Sequence, residues 1–128
     1  MKTGILSVLA VLSMFVAMSA TAADTKPFDQ ATFAALQAAN QPVLITVYAD
    51  WCPICRQQAP IVGELMANPE FKDFTVLRVN FDTQKDVRRT LGVAQQSTFI
   101  VYRGKQEVAR STADTNKASI AATLRKGF

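Results

Sequence analysis

The sequence predicts an α/β domain: a mixed central β-sheet with helices on both faces. Three observations point there. The run Val43-Leu44-Ile45-Thr46-Val47-Tyr48 is almost unbroken in apolar and β-branched residues, which suits a strand buried on both faces. Helical and strand-like segments alternate around it, and a strand, crossover helix and strand in one sheet must run parallel. Near the end of the chain two strand-like segments flank Arg103-Gly104-Lys105, a hairpin turn that makes its strands antiparallel.

Each element has a local reason. Asp29 caps a helix that extends through Asn40, with Phe33 and Leu36 on one face. Pro42 opens the central strand. The next helix starts around Cys52-Pro53, because proline is tolerated in a first turn, and Ile61, Val62, Leu65 and Met66 form its apolar face. Pro60 lies inside this helix and is expected to kink it. Thr75 to Phe81 reads as a strand, and Gln84 to Leu91 as a short helix stopped by Gly92. Thr98 to Tyr102 and Gln106 to Arg110 are the hairpin strands. Asp114 or Thr115 caps a last helix in which Ile120 and Leu124 face the sheet, and Arg125 and Lys126 suit its negative C-terminal end. The expected order is α, β, α, β, α, β, β, α, with no repeat or low-complexity tract.

The first 22 residues read as a secretory signal peptide. Lys2 is the basic start, Ile5 to Met18 is apolar apart from Ser7 and Ser13, and Ala20-Thr21-Ala22 is an A-x-A cleavage site. An uncleaved membrane anchor is the alternative. Residues 23–128 then form one domain in an exported compartment, most simply a periplasm, where disulfides persist. Of the chain's 128 residues, 49% are hydrophobic and 19% charged, as in a globular protein. The absence of histidine excludes Ser-His-Asp and Cys-His catalysis and every imidazole metal site. A net charge of +4 comes from basic residues dispersed among acids, without aromatic stacking partners, so no nucleic-acid partner is expected. Phe33, Phe71, Phe74, Phe81 and Phe99 are assigned to the core.

The chemistry is concentrated in Trp51-Cys52-Pro53-Ile54-Cys55, between the end of a buried strand and the start of a helix. A thiol at a helix N-terminus feels the partial positive charge of unpaired N–H groups, which stabilises its thiolate. The two-residue spacing brings both sulfurs into the first turn, where a disulfide forms and opens without large backbone movement. Cys52 is expected to be the exposed attacking sulfur and Cys55, one turn inward, the resolving one. Trp51 would be an apolar shoulder beside them. A purely structural bridge is the first alternative, but so small a loop removes little entropy from the unfolded chain. Half of a metal site is the second, but the chain lacks the four thiolates or imidazoles of structural zinc sites. No cofactor or metal is therefore expected.

These residues resemble the thioredoxin-like thiol–disulfide oxidoreductases over essentially the whole of residues 23–128. The similarity runs through Ala49-Asp50-Trp51-Cys52, Pro60, Val79-Asn80-Phe81-Asp82 and Leu91-Gly92-Val93. Tyr48-Ala49-Asp50-Trp51-Cys52 particularly resembles the corresponding domain of membrane thiol:disulfide interchange reductases. The resemblance implies a thioredoxin-like fold, Cys52 as nucleophile and Cys55 as resolving cysteine, supported by Trp51, Pro53 and Ile54. It implies protein thiols and disulfides as substrates. It also implies a separate redox protein, free or membrane-bound, to recharge the pair. A monomer is expected. The family's substrate-docking loop falls on Gln96, Ser97 and Thr98, with the backbone of Gln96 as the docking edge.

The chain departs from that family at three residues. Thr46 stands where thioredoxins bury an aspartate that accepts the resolving thiol's proton, and a hydroxyl cannot serve as that base near neutral pH. Arg78 stands near it in place of a lysine and is expected to point to solvent. Ser97 stands where the family has a cis-proline. A cis bond before serine costs about 2.5–4 kcal/mol, so the loop is expected either to be trans or to be held cis under strain. The serine hydroxyl would lower the pKa of Cys52 by hydrogen-bonding its thiolate, or else it is an ordinary loop serine. With Pro53-Ile54 and no histidine between the cysteines, a reductase role is favoured over a disulfide oxidant. A non-catalytic binding module, and metal or cluster binding by thiolates shared between two subunits, are the other readings.

Overall fold

The protein is described here by a computed structural model covering residues 23–128. The proposed signal peptide, residues 1–22, lies outside the described residues. The elements in chain order are β1 (Asp24–Pro27), α1 (Gln30–Ala38), β2 (Pro42–Tyr48), α2 (Pro53–Ala67), β3 (Thr75–Asn80), α3 (Lys85–Leu91), β4 (Thr98–Arg103), β5 (Gln106–Thr112) and α4 (Lys117–Arg125). A single 3₁₀ turn, Pro69–Phe71, leads into β3.

The five strands form one sheet in the order β1-β3-β2-β4-β5. β1, β3 and β2 are parallel; β4 is antiparallel to both β2 and β5. The unbroken apolar run of β2 is explained by helices on both faces. Leu44 packs with Val62, Leu65, Phe99, Ile120 and Leu124 on the α2/α4 side. Val43, Ile45 and Val47 pack with Phe33, Leu77, Leu91 and Ile100 on the α1/α3 side. Successive strand residues thus serve two cores, as the pleat requires. Thr46 shares the α2 side with Leu44.

The first strand departs from the expected order. β1 is exposed at all four positions and its sequence carries no hydrophobic alternation, so only its pairing with β3 defines it. Its Pro27 is tolerated because the strand lies at the sheet edge. The cap of α4 also differs. Asn116, rather than Asp114 or Thr115, accepts the Ser119 N–H at 2.9 Å, while Asp114 accepts from the Asn116 N–H and the Ser119 hydroxyl. At the other cap, Asp29 accepts from both the N–H and the hydroxyl of Thr32. α1 stops at Ala38, short of the expected Asn40, which instead turns the chain away with a φ of 53°. The β4–β5 turn needs Gly104: its φ is 56°, and a Cβ there would lie 2.6 Å from Asn40 Oδ1. No helix of the described residues is long and apolar enough to cross a membrane.

Candidate functional site

The end of β2 and the start of α2 meet at Cys52. Its N–H bonds to Ala49 O, which closes the turn, and Pro53 fills the first helical position, where no N–H partner is needed. Cys52 is the cap residue of α2, and its Sγ accepts the Cys55 N–H at 3.1 Å. Cys52 and Cys55 form a disulfide with Cα atoms 5.3 Å apart. When the bond opens, the Cys52 thiolate inherits that N–H and the positive end of α2, while Cys55 Sγ faces Val47 O at 3.9 Å. The two sulfurs are therefore unequal. Cys52 gains a donor, and Cys55 looks toward an acceptor that offers an anion nothing.

Their exposure reverses the expected order. Cys52 is 1% exposed and Cys55 8%. Both pack with Ala49 against Tyr48 and Phe81, so the oxidised pair is covered rather than presented. Trp51 is 54% exposed and Ile54 36%, and with Pro53 they form an apolar rim around the disulfide. Trp51 is held in place: its indole N–H donates to Asp82 Oδ2 at 2.9 Å, and its ring meets the Phe81 ring edge-on. Asn80 shapes the turn that presents Asp82 by accepting from the Asp82 and Thr83 N–H groups. Phe81 is thus half-buried beside the site, against Tyr48 O on one side and beneath the Arg88 guanidinium on the other, rather than deep in the core.

Ser97 is brought against the cysteines through one shared atom. Its N–H donates to Val47 O at 2.7 Å, the same carbonyl that Cys55 Sγ faces. Every peptide bond described is trans, and Ser97 takes a left-handed conformation with φ at 58°. The choice between a trans and a cis loop is settled by the amide: without proline's ring, trans is the cheaper form and leaves an N–H free to bond. The serine hydroxyl donates to Gln96 O at 2.5 Å, so it serves its own loop rather than Cys52. Thr98 likewise donates to Gln95 O. The Gln96 carbonyl, the expected docking edge, therefore already holds a hydroxyl donor.

Two side chains that brace the loops around the site were not singled out from the sequence. Gln58 is 4% exposed, and its amide donates to Ser97 O at 3.2 Å and Asp114 O at 2.9 Å, tying α2 to the Gln96–Thr98 loop and to the β5–α4 connection. Ala113 N–H donates to the same Ser97 carbonyl. Arg110 donates to Leu91 O and Gly92 O, satisfying the last carbonyls of α3 ahead of the loop. Glu107 bonds Arg110 and holds its pKa above the usual arginine value. Buried glutamines and arginine–carbonyl contacts have no sequence signature; only the fold joins the segments. Arg78 is exposed, as expected, but stacks over the Tyr48 ring at 3.9 Å rather than extending freely. Among the described residues no cluster of three or more His, Cys, Asp or Glu could hold a metal ion.

The sequence model of the Thioredoxin family matches residues 24–126. The solved structure of Trxlp from Edwardsiella tarda is similar, with a TM-score of 0.77 and 44% identity, covering 79% of this chain and 98% of that one. Thioredoxin 1 from a Nostoc species is 33% identical over 85 residues, 66% of this chain and 78% of the relative. The bifunctional thioredoxin reductase/thioredoxin of Mycobacterium leprae is 32% identical over 92 residues, 72% of this chain, and the chain spans 20% of that protein's length.

Proposed function

The chain belongs to the thioredoxin family of thiol–disulfide oxidoreductases, and from that premise we propose that it is an exported reductase of protein disulfides working through Cys52 and Cys55. The observation that carries this reading is the Cys52–Cys55 disulfide at the N-terminus of α2, with the Cys55 N–H donated to Cys52 Sγ. In the reduced protein that donor and the helix favour the Cys52 thiolate at neutral pH. The thiolate attacks one sulfur of a substrate disulfide, and the other sulfur leaves as a thiolate that takes a proton from solvent. Cys55 then attacks Cys52, releases the second substrate sulfur and closes the bridge. Another redox protein returns the pair to the dithiol.

The apolar rim of Trp51, Pro53 and Ile54 supports a protein substrate, since it offers an exposed surface beside a covered disulfide. The lack of a histidine between the cysteines supports the reductase direction. The apolar segment before Ala23 supports export. A disulfide oxidant is the second reading, favoured by Thr46, which leaves Cys55 without an acidic neighbour to take its proton.

Turnover of insulin disulfides with dithiothreitol as electron source tests the proposal. The protein is expected to accelerate precipitation of the insulin B chain, and Cys52→Ser to remove the acceleration. No acceleration by the wild-type protein would leave a binding module instead.

A further inference from the structure

We propose that small anionic thiols open the disulfide from the opposite side to a protein substrate, attacking Cys55 through a cavity behind it. The inference rests on the redox reading above and adds a second class of reductant with its own entrance. The cavity lies between α2 and the sheet, has a volume of about 240 Å³, and has Cys55 but not Cys52 in its wall. It explains why Thr46, on the central strand β2, is partly exposed. It also accounts for Cys55 being the more exposed sulfur residue, 8% against 1%.

Leaving-group chemistry points the same way. A thiol attacking Cys55 expels Cys52, whose thiolate is received by the Cys55 N–H and the positive end of α2. Attack on Cys52 would expel Cys55 toward the Val47 carbonyl. The cavity wall carries one charged residue among those described, Arg78, and no acid. Its guanidinium, stacked on Tyr48, favours a carboxylate on the entering thiol. The space suits a molecule of a few heavy atoms and excludes a folded protein.

The step balances as follows. The external thiolate forms a bond to Cys55 Sγ, the Cys52–Cys55 bond breaks, and its electron pair leaves on Cys52. A second thiolate attacks the external sulfur of the mixed disulfide and expels Cys55, which takes a proton from water. Two thiols become one small disulfide, and the protein gains a dithiol.

The test mixes the oxidised full-length protein with 3-mercaptopropionate or, as the oppositely charged probe, cysteamine. Acid quenching and peptide mapping locate the first adduct, and fluorescence of Trp51, the chain's one tryptophan, gives the rate. The adduct is expected on Cys55. Gly63→Leu puts a side chain into the cavity from α2, where a Cβ meets nothing within 4 Å, and should slow 3-mercaptopropionate about tenfold. Arg78→Glu, at an exposed position, should lower the ratio of anionic to cationic thiol rates about tenfold, less so at high salt. An adduct on Cys52, or rates indifferent to both substitutions, would overturn the rear route while leaving the redox reading intact. A disulfide that no thiol opens would overturn both.

Discussion

Ser97 shows how a single residue is held where its side chain disfavours it. A left-handed φ costs a residue with a Cβ about 1–2 kcal/mol, yet Ser97 stays there because its N–H bonds Val47 O and its carbonyl receives Ala113 N–H and the Gln58 amide. Its position opposite the cysteines was legible in the sequence, on the resemblance of the flanking Gly92-Val93 and Thr98-Phe99. Its conformation was not, because the partners that fix it come from β2, α2 and the β5–α4 connection. Ser97→Pro is therefore expected to destabilise the protein by about 3 kcal/mol in urea unfolding, since proline lacks the N–H and fixes φ near −65°. An unchanged midpoint would contradict the role given to that N–H. At the sulfurs, Cys55→Ala should accumulate mixed disulfides through Cys52, read as mass additions lost on treatment with reductant, and Cys52→Ala should not.

At the level of elements, what was legible followed burial. β2, β3 and β4 carry apolar runs because each is covered on both faces, and α2 shows an apolar stripe because one of its faces is covered and the other is exposed. β1 was invisible because its four exposed residues contribute backbone pairing to β3 and no core side chain. The start of α4 was ambiguous for a different reason: Asp114, Thr115 and Asn116 can all cap a helix, and the choice depends on which one the preceding turn points at Ser119. Asn116→Ala should lower stability by about 1 kcal/mol, measured by thermal or urea unfolding. Thr115→Ala should have little effect, and the reverse ranking would place the cap one residue earlier.

Across the whole molecule, stability must survive the opening of the site. The Cys52–Cys55 loop is so short that cross-linking it changes the unfolded chain little, and reduction should cost no more than about 2 kcal/mol. The two cores lie outside the disulfide's own small cluster, so the dithiol form is expected to stay folded. Acid should act differently. Hydrogen bonds from the Thr32 N–H and hydroxyl hold Asp29 below the usual carboxylate range, as Lys117 does for Glu64 and Arg125 for Glu70. Their folded pKa values are lower than in the unfolded chain, so their contribution is complete above about pH 5 and is lost as the pH falls below about 4. The melting temperature should be flat from neutrality to about pH 5 and decline below about pH 4; a profile still flat at about pH 2 would contradict these three pairings. The most direct test of the redox pair itself is an equilibrium titration of Cys52–Cys55 against a series of thiol–disulfide buffers, followed by Trp51 fluorescence. A reversible two-electron transition near about −270 mV is expected of a reductase, whereas a midpoint near about −120 mV, or a disulfide that never opens, would contradict it.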